Sequence, residues 1–166
     1  MIITLSAEDL EVGRRAGITR HTHSRKQGLK SGFDDKDNEM DILGAQGEIA
    51  AAQCLWIPFE PQVDTFKAAD IGVNLQVRTT PRTNGRLILK RGDNPEHIYI
   101  LVRKLAASDF EVVGWVFGHE GQRPEYLKKV GHGGSVYFVP NHKLKSIADL
   151  SINDEFRKNL VEFVVC

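Results

Sequence analysis

Residues 69 to 80 read Ala69-Asp70-Ile71-Gly72-Val73-Asn74-Leu75-Gln76-Val77-Arg78-Thr79-Thr80. Val73, Leu75 and Val77 alternate with Asn74, Gln76 and Arg78, and the β-branched Val77, Thr79 and Thr80 favour extended chain, so a strand with one apolar and one polar face is expected. Gln76 and Arg78 share the polar face. Gly72 permits a bulge or a positive-φ turn position that folds Asp70 back beside that face. Parity decides the outcome. A three-residue connection at 72–74 sets Asp70 opposite Gln76, whereas a two-residue loop at 73–74 pairs it with Val77 and turns it away. The odd count is the expectation, and it brings an acid, an amide and a guanidinium together. The alternative is an ordinary hairpin whose polar face is merely solvated.

Upstream, residues 39 to 56 form the strongest helical pattern. At about 100° per residue, Gln46 and Gln53 mark a polar edge, while Glu48 falls among Ala45, Ala52 and Leu55 on the inward side. Gly44, Ala45, Gly47, Ala50, Ala51 and Ala52 keep the helix thin, so a sheet can approach it closely. A buried glutamate needs compensation. An ion pair, for example with Arg78, and a metal both provide it.

The 166 residues, 41% of them apolar, suit one domain with a single sizeable core. Lys plus Arg (22) equals Asp plus Glu (22), so nothing in the net charge draws nucleic acid to the whole surface, and such binding must come from local patches. Cys54 and Cys166 form neither a disulfide framework nor a zinc spacing, which points to free thiols and a reducing, cytoplasmic setting. No apolar run approaches the roughly 20 residues of a spanning helix, and no signal-peptide pattern opens the chain, so a membrane is not an expected partner.

Ser6 with Glu8 and Asp9 marks a helix start running to about residue 16, with Gly17 and Thr19 weakening it beyond. From Val12 to Phe33 there is no acid, and Arg14, Arg15, Arg20, Arg25, Lys26 and Lys30 accumulate. This is a basic arm suited to phosphates, or else a solvated loop. His21 and His23 lack thiolates that would make them a metal pair, and the acidic run Asp34 to Asp41 lacks the glycine of a calcium loop. Strands are expected at 86–90, 97–102, 111–117 and 135–139, with the glycine-rich 131–134 a turn and a short helix from Asn153 to about Phe163. Trp56, Trp115, Tyr99 and Phe117 read as core residues. The organisation is then an N-terminal helix and basic arm over 1–38 and a core over 39–166, one domain overall.

Glu48 on a helix, then Asp70, then Gln76-Val77-Arg78 on a strand, resembles the order of the PD-(D/E)XK nuclease superfamily over roughly residues 40 to 120. Ala69 stands where a proline is usual, Gln76 replaces an acid as in the Mrr-like branch, and Arg78 replaces a lysine. The runs Gly44 to Trp56 and Val113-Gly114-Trp115 also resemble small phage-encoded proteins, whose setting is a host cytoplasm.

The resemblance implies an α/β (α+β) fold of restriction-endonuclease-like type, a central mixed β-sheet flanked by helices in a single domain. It implies metal-dependent phosphodiester hydrolysis of DNA, with catalytic residues Glu48, Asp70, Gln76 and Arg78. Magnesium, or manganese, wants hard oxygen ligands, which Asp70, the Gln76 amide oxygen, the Val77 carbonyl and Glu48 can supply. Arg78 suits a phosphate clamp but cannot readily serve as a base, a role that would pass to Lys90. Thr79, Thr80, Arg82 and Lys90, with Arg14, Arg15, Arg25 and Lys26 of the arm, are the expected nucleic-acid contacts. A nuclease fold that binds nucleic acid or a protein without cutting fits Arg78 equally, and a homodimer is left open.

Overall fold

In the computed structural model, residues 1–26, 38–61, 69–131 and 134–151 are described. In chain order they form β1 (Ile2–Thr4), α1 (Ala7–Lys26), α2 (Glu39–Cys54), β2 (Leu75–Thr80), β3 (Leu87–Lys90), β4 (Ile98–Lys104), β5 (Asp109–Phe117), α3 (Gly118–Gly121), β6 (Leu127–Val130), β7 (Gly134–Val139) and α4 (Ile147–Ser151). The class is mixed α+β in one compact domain. Four strands make a mixed sheet in the order β1-β5-β4-β2, with β2 parallel to β4 and the other pairs antiparallel. A second, antiparallel sheet has the order β3-β7-β6.

Strand alternation divides the core in two. Ile98, Ile100 and Val102 of β4 turn toward α2 with Leu75 and Val77, while Tyr99 and Leu101 turn the other way onto Leu87, Leu89 and Val139 of the second sheet. The mixed sheet thus has helices on one face, α2 with α1 packed on it, and a three-stranded sheet on the other. The parallel β2/β4 pair requires a crossover, and residues 81 to 97 supply it while contributing β3 to the second sheet.

The N-terminal helix starts where expected. The Asp9 N–H donates to Ser6 Oγ and the Ser6 N–H donates to Asp9 Oδ2, each at 3.1 Å, a reciprocal cap. It does not stop near residue 16. Gly13 and Gly17 lie directly against Gln46 and Ile42 of α2, where a Cβ would collide, so the glycines that weaken an isolated helix here allow two helices to touch. The Thr19 and Thr22 hydroxyls donate to the carbonyls four residues back. Arg14, Arg15, Arg20, Arg25 and Lys26 thus stand on a regular helix, not a loose arm; Lys30 and the rest of that run lie outside the described residues.

β1 and β6, too short to stand out in the sequence, are additions, as is α4; the helix expected from Asn153 lies outside the described residues. The hairpin expected at 69–80 reduces, among the described residues, to one antiparallel bridge, Ile71 to Leu75, closing residues 72 to 74. Tyr99 and Trp115 are core as expected, but Trp56 is 82% exposed, because it follows α2 at a left-handed position, φ 58°, that turns its ring outward. Among the described residues no helix is long and apolar enough to cross a membrane.

Candidate functional site

The connection at 72–74 has three residues, with Gly72 at φ 60°, so the odd count holds. Asp70 returns beside β2, and the Val77 N–H donates to its Oδ2 at 2.7 Å. The Leu75 N–H and carbonyl both bond Ile71, which shows that the odd residues of β2 turn their main-chain groups to the sheet's outer edge, the side where Asp70 sits. Gln76 and Arg78 lie side by side with Tyr99 and Leu101, on the face of the second sheet.

Arg78 is the hub. Its Nη2 donates to both carboxylate oxygens of Asp93 at 3.2 Å, its Nη1 to Gln76 Oε1 at 3.4 Å, and its Nη1 stands 3.9 Å from Asp70 Oδ2. The guanidinium carbon lies 5.3 Å from the centre of the Tyr99 ring. Asp93 is itself fixed: the Lys90 N–H donates to its Oδ2 at 2.9 Å, and Gln122 Nε2 donates to its main-chain carbonyl at 2.8 Å. Gln76 Nε2 is 3.4 Å from His97 Nδ1. Burial first, then the Asp93 charge, pushes the Tyr99 phenol up to about 12.

Glu48 is buried at 5% exposure, facing inward as its helix phase requires, but its partner is Arg20 and not Arg78. Arg20 Nη1 and Nη2 donate to Oε1 and Oε2 at 2.6 and 2.8 Å, a fork-to-fork pair between α1 and α2. Burial pushes the Glu48 carboxyl above its ordinary range; Arg20 pulls it back without cancelling, and the Asp70 charge adds to the push. Asp70 is raised for the same first reason, against the pull of the Val77 N–H, Arg78 and Arg20. Glu48 feels the Asp70 charge, Asp70 feels that of Asp93, and each of the two acids feels the other's arginine.

The structure thus joins Asp70, Gln76, Val77 and Arg78, sets Glu48 within electrostatic reach of Asp70, and leaves out the rest. Thr79 points to the helical face, packed on Gly47 with its hydroxyl unpartnered, and is not directed at a phosphate. Thr80 Oγ1 accepts from the Arg82 N–H at 3.2 Å and so closes a turn. Arg82 is exposed beyond it. Lys90 sits on β3 with alternation opposite to the inward Leu87 and Leu89, so its side chain leaves the cluster and cannot take over the base role. Arg14 and Arg15 pair with Glu11 at 2.7 and 3.7 Å. Arg25 and Lys26 are exposed at the end of α1.

Arg20 and Asp93 were missed as site residues. Arg20 had a signal: Gly13, Ala16, Gly17 and Arg20 fall at helical spacing, a stripe of small residues that puts Arg20 on the buried face. Asp93 reads from sequence only as turn chemistry.

Among the described residues, no three His, Cys, Asp and Glu side chains are grouped to hold a metal ion. Magnesium commonly takes one or two carboxylates and completes its shell with water and substrate phosphate. Asp70 and the Val77 carbonyl, both turned to the outer edge, fit that role. Glu48 and Gln76 do not fit as direct ligands, since Arg20 holds both Glu48 oxygens and Arg78 takes the Gln76 oxygen. Among the described residues, three carboxylates, Glu48, Asp70 and Asp93, face two arginines, Arg20 and Arg78. Compared with known proteins, the chain matches no family model, no curated protein and no solved structure.

Proposed function

We propose that the protein acts on the phosphodiester backbone of DNA at the outer edge of β2, as a metal-dependent nuclease of PD-(D/E)XK-like type. The observation that carries this is the return of Asp70, across the three-residue turn, to the Val77 N–H and to within 3.9 Å of Arg78. Magnesium, held by Asp70 and the Val77 carbonyl, would supply an acidified water and charge neutralisation at the scissile phosphate.

The chain's own residues have separable parts in this reading. Asp70 brings negative charge to an edge where main-chain oxygens also point. Arg78, permanently cationic, takes a phosphate oxygen in exchange for one of its bonds to Asp93. Gln76 and the Tyr99 ring hold the guanidinium plane during that exchange. Glu48, kept near Asp70 by Arg20, orients water rather than binding directly.

A second reading is favoured by a specific observation, namely that Glu48 and Arg78 already have protein partners in Arg20 and Asp93. On that reading the same edge binds a backbone or a protein partner without cutting it. Labelled duplex and single-stranded DNA, incubated with magnesium, manganese or chelator, separates the two. Cutting that requires metal and is lost in Asp70→Ala supports the nuclease. Metal-independent retention without cutting supports the binder, and neither result would leave the cluster an internal ion-pair network.

A further inference from the structure

The outer face of the second sheet breaks the usual pattern. An antiparallel sheet with one face on the core ordinarily turns polar residues to water. In β7, Tyr137 and Val139 face inward, yet Val136 and Phe138, which face outward, are apolar too. Phe138 pairs with Ile88 of β3, and Val136 lies between Lys90 and Lys128 in one row across all three strands. Val130 extends the patch opposite Gly134. Ile88 and Val130 are 39% and 37% exposed, and both lysines are exposed. No aspartate or glutamate occurs in β3, β6 or β7.

We infer that this face binds single-stranded nucleic acid, with bases against Phe138, Val136 and Ile88 and phosphates on Lys90 and Lys128. The lysines stand two strand spacings apart, about 10 Å, so a chain following β7 passes between them. A lysine stem can lie along apolar surface while its ammonium group stays in water, available to phosphate. A single strand offers unstacked bases to such a platform, which the flat face could not reach inside a duplex.

Two other occupants fit less well. A second copy of the chain would bring lysines against lysines with no acid between them. α4 lies elsewhere, its Ile147 and Leu150 belonging to the core cluster on the α2 side of the four-stranded sheet. This surface is independent of the β2 edge, and its occupancy does not depend on cutting.

Fluorescence anisotropy with labelled oligo(dT), in chelator so that nothing is cut, tests the inference. Replacing both lysines, Lys90→Ala with Lys128→Ala, should weaken binding about tenfold at moderate salt and flatten the log–log salt slope by about 1.4, since each lost phosphate contact on a single strand removes about 0.7. Phe138→Thr, which keeps a strand-favouring residue, should weaken binding about fivefold or more with the salt slope unchanged. The lysine pair is exposed and keeps the test valid if Phe138→Thr does not fold. The inference is overturned by absent binding at low salt, by an unchanged slope in the lysine variant, by equal affinity for polyglutamate, or by a dimer that Phe138→Thr dissolves. Metal-dependent duplex cutting is read in a separate assay, so failure at one surface leaves the other standing.

Discussion

Arg20 and Glu48 meet between two helices with both carboxylate oxygens bonded at 2.6 and 2.8 Å, and Glu48 is nearly out of water. Arg78 reaches Asp93 from a sheet edge at 3.2 Å to each oxygen, and keeps Gln76, Asp70 and the Tyr99 ring around it. The same pair of functional groups does different work in the two places. Between the helices Glu48 is buried with both oxygens on Arg20, so removing Arg20 strands a carboxylate in low dielectric. At the edge the guanidinium is shared among several acceptors, and losing one leaves the others and water. The inner pair joins α1 to α2, and the outer one holds a cation where a ligand can compete for it.

The largest expected effect follows from the inner pair. Arg20→Leu should cost on the order of 3–5 kcal/mol in chemical denaturation at neutral pH, because Glu48 is left buried and unpaired. Glu48→Gln should cost less, since Arg20 is 22% exposed and its long stem can lift the guanidinium to water. Equal, small losses in both variants would make the two pairs alike and remove the contrast.

How much of this is legible in the sequence depends on range. The parity of the 72–74 turn, the inward phase of Glu48 and the short alternating strands are set within a few residues, and each reads correctly from the chain. The partners do not. Arg20 lies 28 positions from Glu48 and Asp93 lies 15 from Arg78, and which cation meets which acid is decided by how helices and sheets pack. Gly17 shows the reason most clearly, since helix propensity counts it as a breaker while the tertiary contact with Ile42 needs it. The covering of the second face by a sheet is hidden in the same way, because β3 alternates and β7 is an apolar run without indicating which layer they join, and β6 is too short to stand out.

One small residue lets α2, which carries Glu48, come close to β2, which carries Arg78. Gly47 lies against the Thr79 side chain, and a Cβ there would overlap a β-branched group with little freedom to move. Gly47→Ala should therefore destabilise by about 1–3 kcal/mol by lifting α2 from β2. Thr79→Ala in the same chain should recover most of it, an interaction that a double-mutant cycle measures. No recovery would mean that α2 is positioned by α1 alone, and that the inner pair is independent of the sheet.

A smaller effect is expected at the edge. Asp93→Asn removes the charge opposite Arg78 but keeps an acceptor for the Lys90 N–H, so the loss should be about 1 kcal/mol after allowance for solvent screening of the partly exposed guanidinium. A loss as large as that of Arg20→Leu, measured by denaturant midpoint, would show the outer pair to be as structural as the inner.

The finest test concerns Asp70, which stands between the pairs. Burial raises its carboxyl above 3.8 despite the Val77 N–H and two arginines. A carboxyl whose pKa is higher folded than unfolded takes up protons on folding, so its contribution is most favourable below 3.8 and declines as pH rises through the folded value. In the Asp70→Asn variant the side-chain amide is neutral throughout and still offers an oxygen to the Val77 N–H. Relative to wild type, this variant should therefore gain stability as pH rises from about 3.8 and level off once the wild-type carboxyl is ionised. Part of the push on Glu48 comes from the Asp70 charge, so its removal shifts the variant in the same sense. Thermal melts of both proteins between acid and neutral pH measure the difference directly. Were Arg78 the dominant influence, Asp70 would instead be depressed, and the variant would lose ground as pH rises. That opposite slope would make Asp70 a satisfied partner of Arg78, with no excess negative charge at the edge to attract a cation, and the metal-dependent reading would lose its electrostatic basis.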